Sequence, residues 1–315
     1  MTDGATSAEV QIMAVRYRTL MMDNSRWDGF ELRPSDIVIS TPPKSGTTWT
    51  QMLCSLLIFD GPDFPAPLDE VSPWLDQTLR PFDEMRALYA AQGHRRFIKT
   101  HTPLDGLPLR DDVTYVVVGR DPRDVMISME HHVANMDLDS LPPRPEVSDD
   151  PAERFRTFVG GSDVGAGAVN LSGVMHHLDA AWQRRHRPNV VFCHYADLSA
   201  DLPGEIVRLG TALDIEVTRD EATTFAAEAT LERMRDRAED VLPNAGTIWK
   251  DDRAFFRAGG FGEWRARADE EALAEYDRKV ETITAPDLAT WAHLGRLASG
   301  IDPATHGLQA SWATT

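Results

Sequence analysis

Apolar positions along this chain follow two rhythms: short continuous runs, and longer stretches with helical spacing. The runs fall at 37–39 (IVI), 96–100 (RFIKT), 113–119 (VTYVVVG) and 190–194 (VVFCH). Runs that stay apolar without alternating predict strands covered on both faces, as in a parallel sheet. Helical spacing predicts helices from residue 48 onward, over 75–92, after Pro122, and near 171–186. It continues over 201–213, 219–227 and 231–237, with a last amphipathic helix over 269–283. Asp121 and Pro122 read as an N-cap followed by proline at the first helical position.

Strands alternating with helices predict an α/β fold with a mostly parallel central sheet flanked by helices. A single domain is expected over 31–315, with 1–30 as a lead-in segment holding a short helix and a strand. The site is expected at the carboxyl ends of the strands. Residues 60–73 are too rich in proline to be regular, and 241–262 read as irregular. The polar stretch 137–167, rich in Pro, Gly and Asp, reads as a lid or a disordered insert with one helical turn at 153–159.

With 315 residues, the chain is long enough to bury a substantial core. Its 32 basic and 50 acidic residues give 32 − 50 = −18, which argues against binding nucleic acid or anionic lipid by charge. A polyanionic ligand must then be met by a local cluster of Lys and Arg. Cys54 and Cys193 both lie in apolar segments and read as buried thiols of a reducing compartment. Two cysteines exclude a cysteine zinc framework. No apolar run approaches the roughly 18 residues of a membrane span, and the first residues lack the layout of a signal peptide. These features lead us to expect a soluble, cytoplasmic protein.

The candidate chemistry starts in DIVISTPPKSGTTWTQMLCSLL, residues 36–57. A strand, a tight loop and a helix place backbone N–H groups and a helix N-terminus around one point, which suits an anion. Gly46 permits close approach, and Lys44, Ser45, Thr47 and Thr48 add one charge and several hydroxyls. The Walker pattern requires lysine after its second glycine, whereas Lys44 precedes the loop's only glycine. Trp49 either stacks on a base or packs into the core.

Lys99 and His101 are two apart at the mouth of a strand, where the lysine would keep the histidine neutral and available as a base. A purely structural histidine is the alternative. Arg120 ends the best strand and Ser128 lies about two helical turns on, suited to a ligand or to an ion pair. RAGGFGEWR (257–265) is a glycine-punctuated basic segment, suited to a phosphate or to a flexible surface loop.

PPKSGTTW resembles the 5′-phosphosulfate loop of the cytosolic-type sulfotransferases, which use 3′-phosphoadenosine 5′-phosphosulfate (PAPS). KTHTP is similar to that family's catalytic-base segment, YVVVGRDPRDVMIS to its 3′-phosphate strand and helix, and RAGGFGEWR to its C-terminal glycine loop. The four motifs keep the family's order across roughly residues 35–265. The resemblance implies that Lys44, Ser45, Gly46, Thr47 and Thr48 hold the 5′-phosphosulfate and Trp49 stacks on the adenine. It implies that Arg120 and Ser128 grip the 3′-phosphate with Arg257 and Gly259, and that Tyr195 and Thr230 lie near the base. His101 would be the general base, assisted by Lys99 and Lys44, without a metal.

Ala258 stands where the family often has lysine, Pro42 where an aromatic is common, and Glu263-Trp264-Arg265 where Asp-Trp-Lys is usual. The first departure implies one cation fewer at the 3′-phosphate. VSPWLDQTLRP and FIKTHTPLDGL resemble the mycobacterial glycolipid branch, which implies a glycolipid, alcohol or phenol hydroxyl as acceptor. Two alternatives accompany this reading: a P-loop small-molecule kinase using Mg-ATP, and a non-catalytic module binding the product nucleotide PAP.

Overall fold

The computed structural model describes residues 15–137, 148–165, 169–242, 248–257 and 260–308. Strands β1 (Ile37–Ser40), β2 (Phe97–Thr100), β3 (Thr114–Gly119) and β4 (Val190–His194) form a sheet in the order β2-β1-β3-β4. Every neighbouring pair is parallel. The pleat divides the strands between two cores. Ile39, Val118 and Cys193 face a cluster shared with Met52, Leu53 and Leu56 of helix α1 (Thr47–Phe59). Val38, Val117 and Phe192 face another, with Phe155, Leu178 and Trp291. Burial on both faces explains why these strands read as unbroken apolar runs.

Ser40 of β1 lies between Thr100 of β2 and Val117 of β3, so the segments after all three strands leave from one edge. From β1 the chain crosses to β2 on one side, then returns to β3 on the other. That reversal opens a crevice between β1 and β3, the usual ligand position in open α/β sheets. The Pro122–Ala134 helix starts as its sequence indicates, with Asp121 accepting a hydrogen bond from Arg123 N at 2.9 Å.

Elsewhere the structure corrects the sequence reading. The helix expected over 75–92 spans only Phe82–Ala91. The residues before it run beside β2, with Lys99 N donating to Pro73 O and Leu75 N to Lys99 O. Pro73 and Pro81 lack N–H donors, and the Asp76 carboxylate is committed to tertiary bonds. Within 137–167 a full helix, Pro151–Gly160, replaces the single expected turn, capped by Asp150. Residues 138–147 and 166–167 of that stretch lie outside the described residues.

A further helix, Pro286–Ser299, follows the one read as last, and its Trp291 is fully buried. Its pattern is broken by Gly295 (φ 76°), after which Asp197 accepts from Arg296 N and Leu297 N. Of the lead-in 1–30, residues 1–14 lie outside the described residues, and the rest holds a 3₁₀ helix (Asn24–Gly29) with isolated Arg18–Asp23 and Met22–Gln77 bridges. Cys54 and Cys193 are buried and free. Among the described residues no helix is long and apolar enough to cross a membrane.

A Cβ added at Gly295 would lie 2.7 Å from both Asp197 Oδ1 and His194 Nδ1, at a backbone angle that side chains rarely adopt. Gly295→Ala should therefore destabilise the fold by about 1–3 kcal/mol, read as a lower denaturant midpoint. An unchanged midpoint would refute this packing.

Candidate active site

A cavity of about 550 Å³ opens at the carboxyl edge of the sheet. One wall is the loop between β1 and α1. Lys44 (φ 67°) and Gly46 (φ 110°) both take left-handed conformations, which curls the loop into the start of α1. A side chain at Gly46 would approach the Tyr195 ring to 3.2 Å. Gly46 is the N-cap and offers no side chain, so the first turn of α1 carries no side-chain cap. Thr47, Thr48 and Trp49 of that turn line the cavity. Ser45 Oγ is buried without a hydrogen-bond partner, as is Arg120 Nε beside the same loop. Buried donors without partners beside an uncapped helix N-terminus fit an anionic ligand.

Three cations converge here. Arg120 is 8 % exposed, donates to Lys44 O at 3.0 Å, and lies 4.1 Å from the centroid of the Tyr195 ring. Lys44 Nζ meets His132 Nδ1 at 3.0 Å and sits 4.4 Å from the Phe255 ring centroid. Burial pushes the Lys44 amine down to about 7, and the charges of Arg120 and Lys99 push the same way. Burial lowers Lys99 to about 8 against the pull of Asp69 and Asp76, and lowers Arg120 as well. Each protonated form is thus held at a cost that a bound polyanion would relieve.

His101 follows β2 and is 9 % exposed. Its Nδ1 lies 2.8 Å from Thr41 O. A carbonyl only accepts, so Nδ1 carries the proton and Nε2 keeps its lone pair. Burial, followed by the charge of Lys99, pushes the imidazole down to about 3, which keeps it neutral. Trp74, edge-on to the imidazole at 5.0 Å, lines the cavity, whereas His101 itself does not.

The residues read as base-binding also meet. Trp49 donates to Ala229 O at 2.9 Å and packs edge-on against Tyr195 at 5.3 Å. Thr230 lines the same cavity while capping the Leu231–Asp236 helix through Arg233 N. Arg257 reaches the wall paired with Glu263. Gly259 and its neighbour Ala258 lie outside the described residues.

Sequence reasoning missed Asp124 and His132, which line the cavity with Ser128. The three are four apart on the Pro122–Ala134 helix, a same-face spacing that Ser128 alone could have flagged. Asp124 Oδ1 accepts from Gly262 N at 2.8 Å, which ties the glycine-rich segment to that helix. Trp249 and Phe255 were also missed. They lie in a stretch without periodicity that gave no signal. Among the described residues, no group of three or more His, Cys, Asp or Glu side chains could hold a metal.

Residues 34–291 match the family described as "Sulfotransferase domain". A glycolipid sulfotransferase of Mycobacterium bovis is 48 % identical over 318 residues, covering 92 % of this chain and 97 % of its own. The chain belongs to the sulfotransferase family. An amine sulfotransferase of Oryctolagus cuniculus is 28 % identical over 80 % of this chain and 81 % of its own. Retinol dehydratase in complex with retinol and PAP shares the fold at a TM-score of 0.64 and 24 % identity, over 83 % of this chain and 86 % of its own. A mouse sulfotransferase complexed with PAP gives 0.65 and 20 %, over 84 % and 90 %. The protein is a sulfotransferase enzyme, and neither the kinase nor the non-catalytic alternative is favoured.

An anion bound beside Lys44 favours its protonated form, so binding raises that depressed pKa and takes up a proton. Calorimetry of PAP binding near pH 8, in buffers of different ionisation enthalpy, should show net proton uptake. Affinity should fall as pH rises through about 7, and Lys44→Met should reduce both effects to what Lys99, lowered to about 8, contributes. Equal heats in all buffers would mean that Lys44 is already charged in the free enzyme.

Proposed function

We propose that this sulfotransferase takes its sulfuryl group from PAPS and delivers it to a hydroxyl of an amphipathic acceptor, a glycolipid above all. The observation that carries this reading is the cavity's mixed lining, in which cations and apolar rings lie side by side. Lys44, Lys99, Arg120 and the uncapped start of α1 supply the positive charge. Met21, Trp74, Leu79, Met136, Trp249 and Phe255 supply apolar surface in the same cavity. An activated anionic donor fits the first and the tail of a lipid-linked sugar fits the second. The mycobacterial relative bearing the name glycolipid sulfotransferase supports the same acceptor class. Two free buried thiols support a reducing, cytoplasmic setting.

In this reading the 41–46 loop and the first turn of α1 hold the 5′-phosphosulfate through Lys44, Ser45, Gly46, Thr47, Thr48 and the N–H groups of α1. Arg120 and Ser128, with Arg257 and Gly259, take the 3′-phosphate. Trp49, Tyr195 and Thr230 form the adenine wall. PAPS supplies a sulfuryl group already activated by its phosphate leaving group. His101 Nε2 accepts the acceptor hydroxyl's proton while that oxygen forms its bond to sulfur and the bond from sulfur to phosphate breaks. Lys44 and Lys99 stabilise the charge that gathers on the departing phosphate oxygen, a contribution of a few kcal/mol each for preorganised donors. An anion among these lysines offsets the Lys99 charge acting on His101, while the burial that lowers it most remains. The catalytic unit spans 31–315, with 1–30 leading in.

Titrating the metal-free enzyme with PAP, and separately with ADP and with Mg-ATP, tests the donor. PAP alone should bind tightly, and preference for Mg-ATP would overturn the reading. Radiolabelled PAPS with octyl glucoside, glycolipids and 2-naphthol then tests the acceptor, where sugar-bearing amphiphiles should lead. His101→Ala should lower transfer by roughly 10²–10⁴-fold and leave PAP affinity in place. Parallel loss of PAP binding would remove His101 from the role of base.

A further inference from the structure

We propose that Asp76 is a positioning residue for transfer, holding His101 and Trp74 in one fixed arrangement at the reacting hydroxyl. The proposal rests on the reading of His101 as the base. Asp76 is fully buried and accepts four hydrogen bonds. Its Oδ1 takes Trp74 Nε1 at 2.6 Å. Its Oδ2 takes Thr100 Oγ1 and Thr102 Oγ1, each at 2.6 Å, and Trp27 Nε1 at 2.9 Å. All four partners are neutral donors. A carboxylate taken out of water costs several kcal/mol even when its lone pairs are filled, and an apolar core residue would avoid that cost.

What the arrangement gains is direction. Thr100 and Thr102 are the residues immediately before and after His101, so one carboxylate oxygen clamps both ends of the tripeptide that presents the base. Thr102 N also donates to Thr100 Oγ1 at 2.9 Å, which closes the clamp. The other oxygen holds the indole that packs edge-on against the His101 ring. That indole lines the cavity and lies 5.3 Å from Lys99 Nζ. Three of the four bonds therefore converge on the base and its cover. The fourth, to Trp27, reaches the 3₁₀ helix Asn24–Gly29, away from the cavity wall. Thr41 O fixes the ring through Nδ1, while Asp76 fixes the backbone on either side and the aromatic wall in front. A base whose lone pair must meet a hydroxyl within a narrow angle is sensitive to displacements of about 1 Å.

Asp76→Asn keeps the side chain's volume but leaves only one acceptor oxygen. With three donors gathered at Oδ2, the amide nitrogen is turned to Trp74 Nε1, donor against donor, and Trp74 is released. Asp76→Asn should lower kcat for octyl glucoside, or for the fastest acceptor of the screen above, by roughly 10–100-fold. The KM for PAPS and the affinity for PAP should change far less than kcat, since Asp76 reaches the donor side only through its pull on Lys99. Trp74→Phe, which removes the N–H and trims the indole to a phenyl ring, should reproduce part of the kcat loss. Trp27→Phe breaks the bond directed away from the site and should lower Tm without lowering kcat.

The proposal is wrong if Asp76→Asn keeps its kcat, or if Trp27→Phe loses as much kcat as Trp74→Phe, since general loosening would then explain both. Should Asp76→Asn fail to fold, the contrast between the two tryptophan variants decides the matter. Absence of transfer by the wild-type enzyme would sink the function proposed above together with this inference. Wild-type transfer that survives Asp76→Asn sinks this inference alone.

Discussion

The structure depends on holding Lys44, Lys99 and Arg120 close together, largely out of water, in a protein of net charge −18. Desolvation lowers each of them, and the charges of Arg120 and Lys99 lower Lys44 further. Register imposes this. β1 lies between β2 and β3, so the Lys44 loop is flanked by Lys99 on one side and by Arg120 on the other. Arg120 then bonds the Lys44 carbonyl, which fixes a left-handed loop residue that would otherwise be strained. An anion is the missing term in that balance, and an excess of carboxylates elsewhere on the chain leaves the cavity as the place where one is stabilised.

The same edge explains the mixed lining of the cavity. The sheet contributes its charged termini, and the Pro122–Ala134 helix adds Asp124, Ser128 and His132 along one face. The irregular segment after residue 247 brings Phe255 against the Lys44 amine and Trp249 against His132. Excluding water from a lysine strengthens its interaction with a nearby negative charge. The apolar lining and the cations of the cavity are in this sense one construction.

The parallel sheet, the tight glycine loop after β1 and the capped helix after β3 were legible because each rests on local signals. These are an unbroken apolar run, a glycine between lysine and threonine, and an Asp-Pro start. The motifs also fixed which residues would meet, since strand ends in a parallel sheet must share an edge. What escaped the sequence rests on non-local contacts. Helical spacing over 75–92 suggests a longer helix than Phe82–Ala91, because nothing in that stretch reveals that Pro73 to Leu75 pair with β2. Gly295 splits the helical pattern of 286–299, and only the packing of Trp291 and the carboxylate of Asp197 hold the two parts together. The ring of Trp74 over His101 is likewise a tertiary fact, hidden in a segment that reads as helix.

That ring joins electrostatics to geometry. His101 is kept neutral by burial and by Lys99, so in the free enzyme it is available but weakly basic. Its Nε2 lone pair is fixed in direction by the Thr41 carbonyl, and its surface is covered by Trp74. An anion settling among the lysines offsets the Lys99 part of that depression and leaves the larger part, burial, in place. In the proposed reading the cations that hold the donor therefore bear on the base through charge, while the Thr41 carbonyl and Trp74 fix its direction.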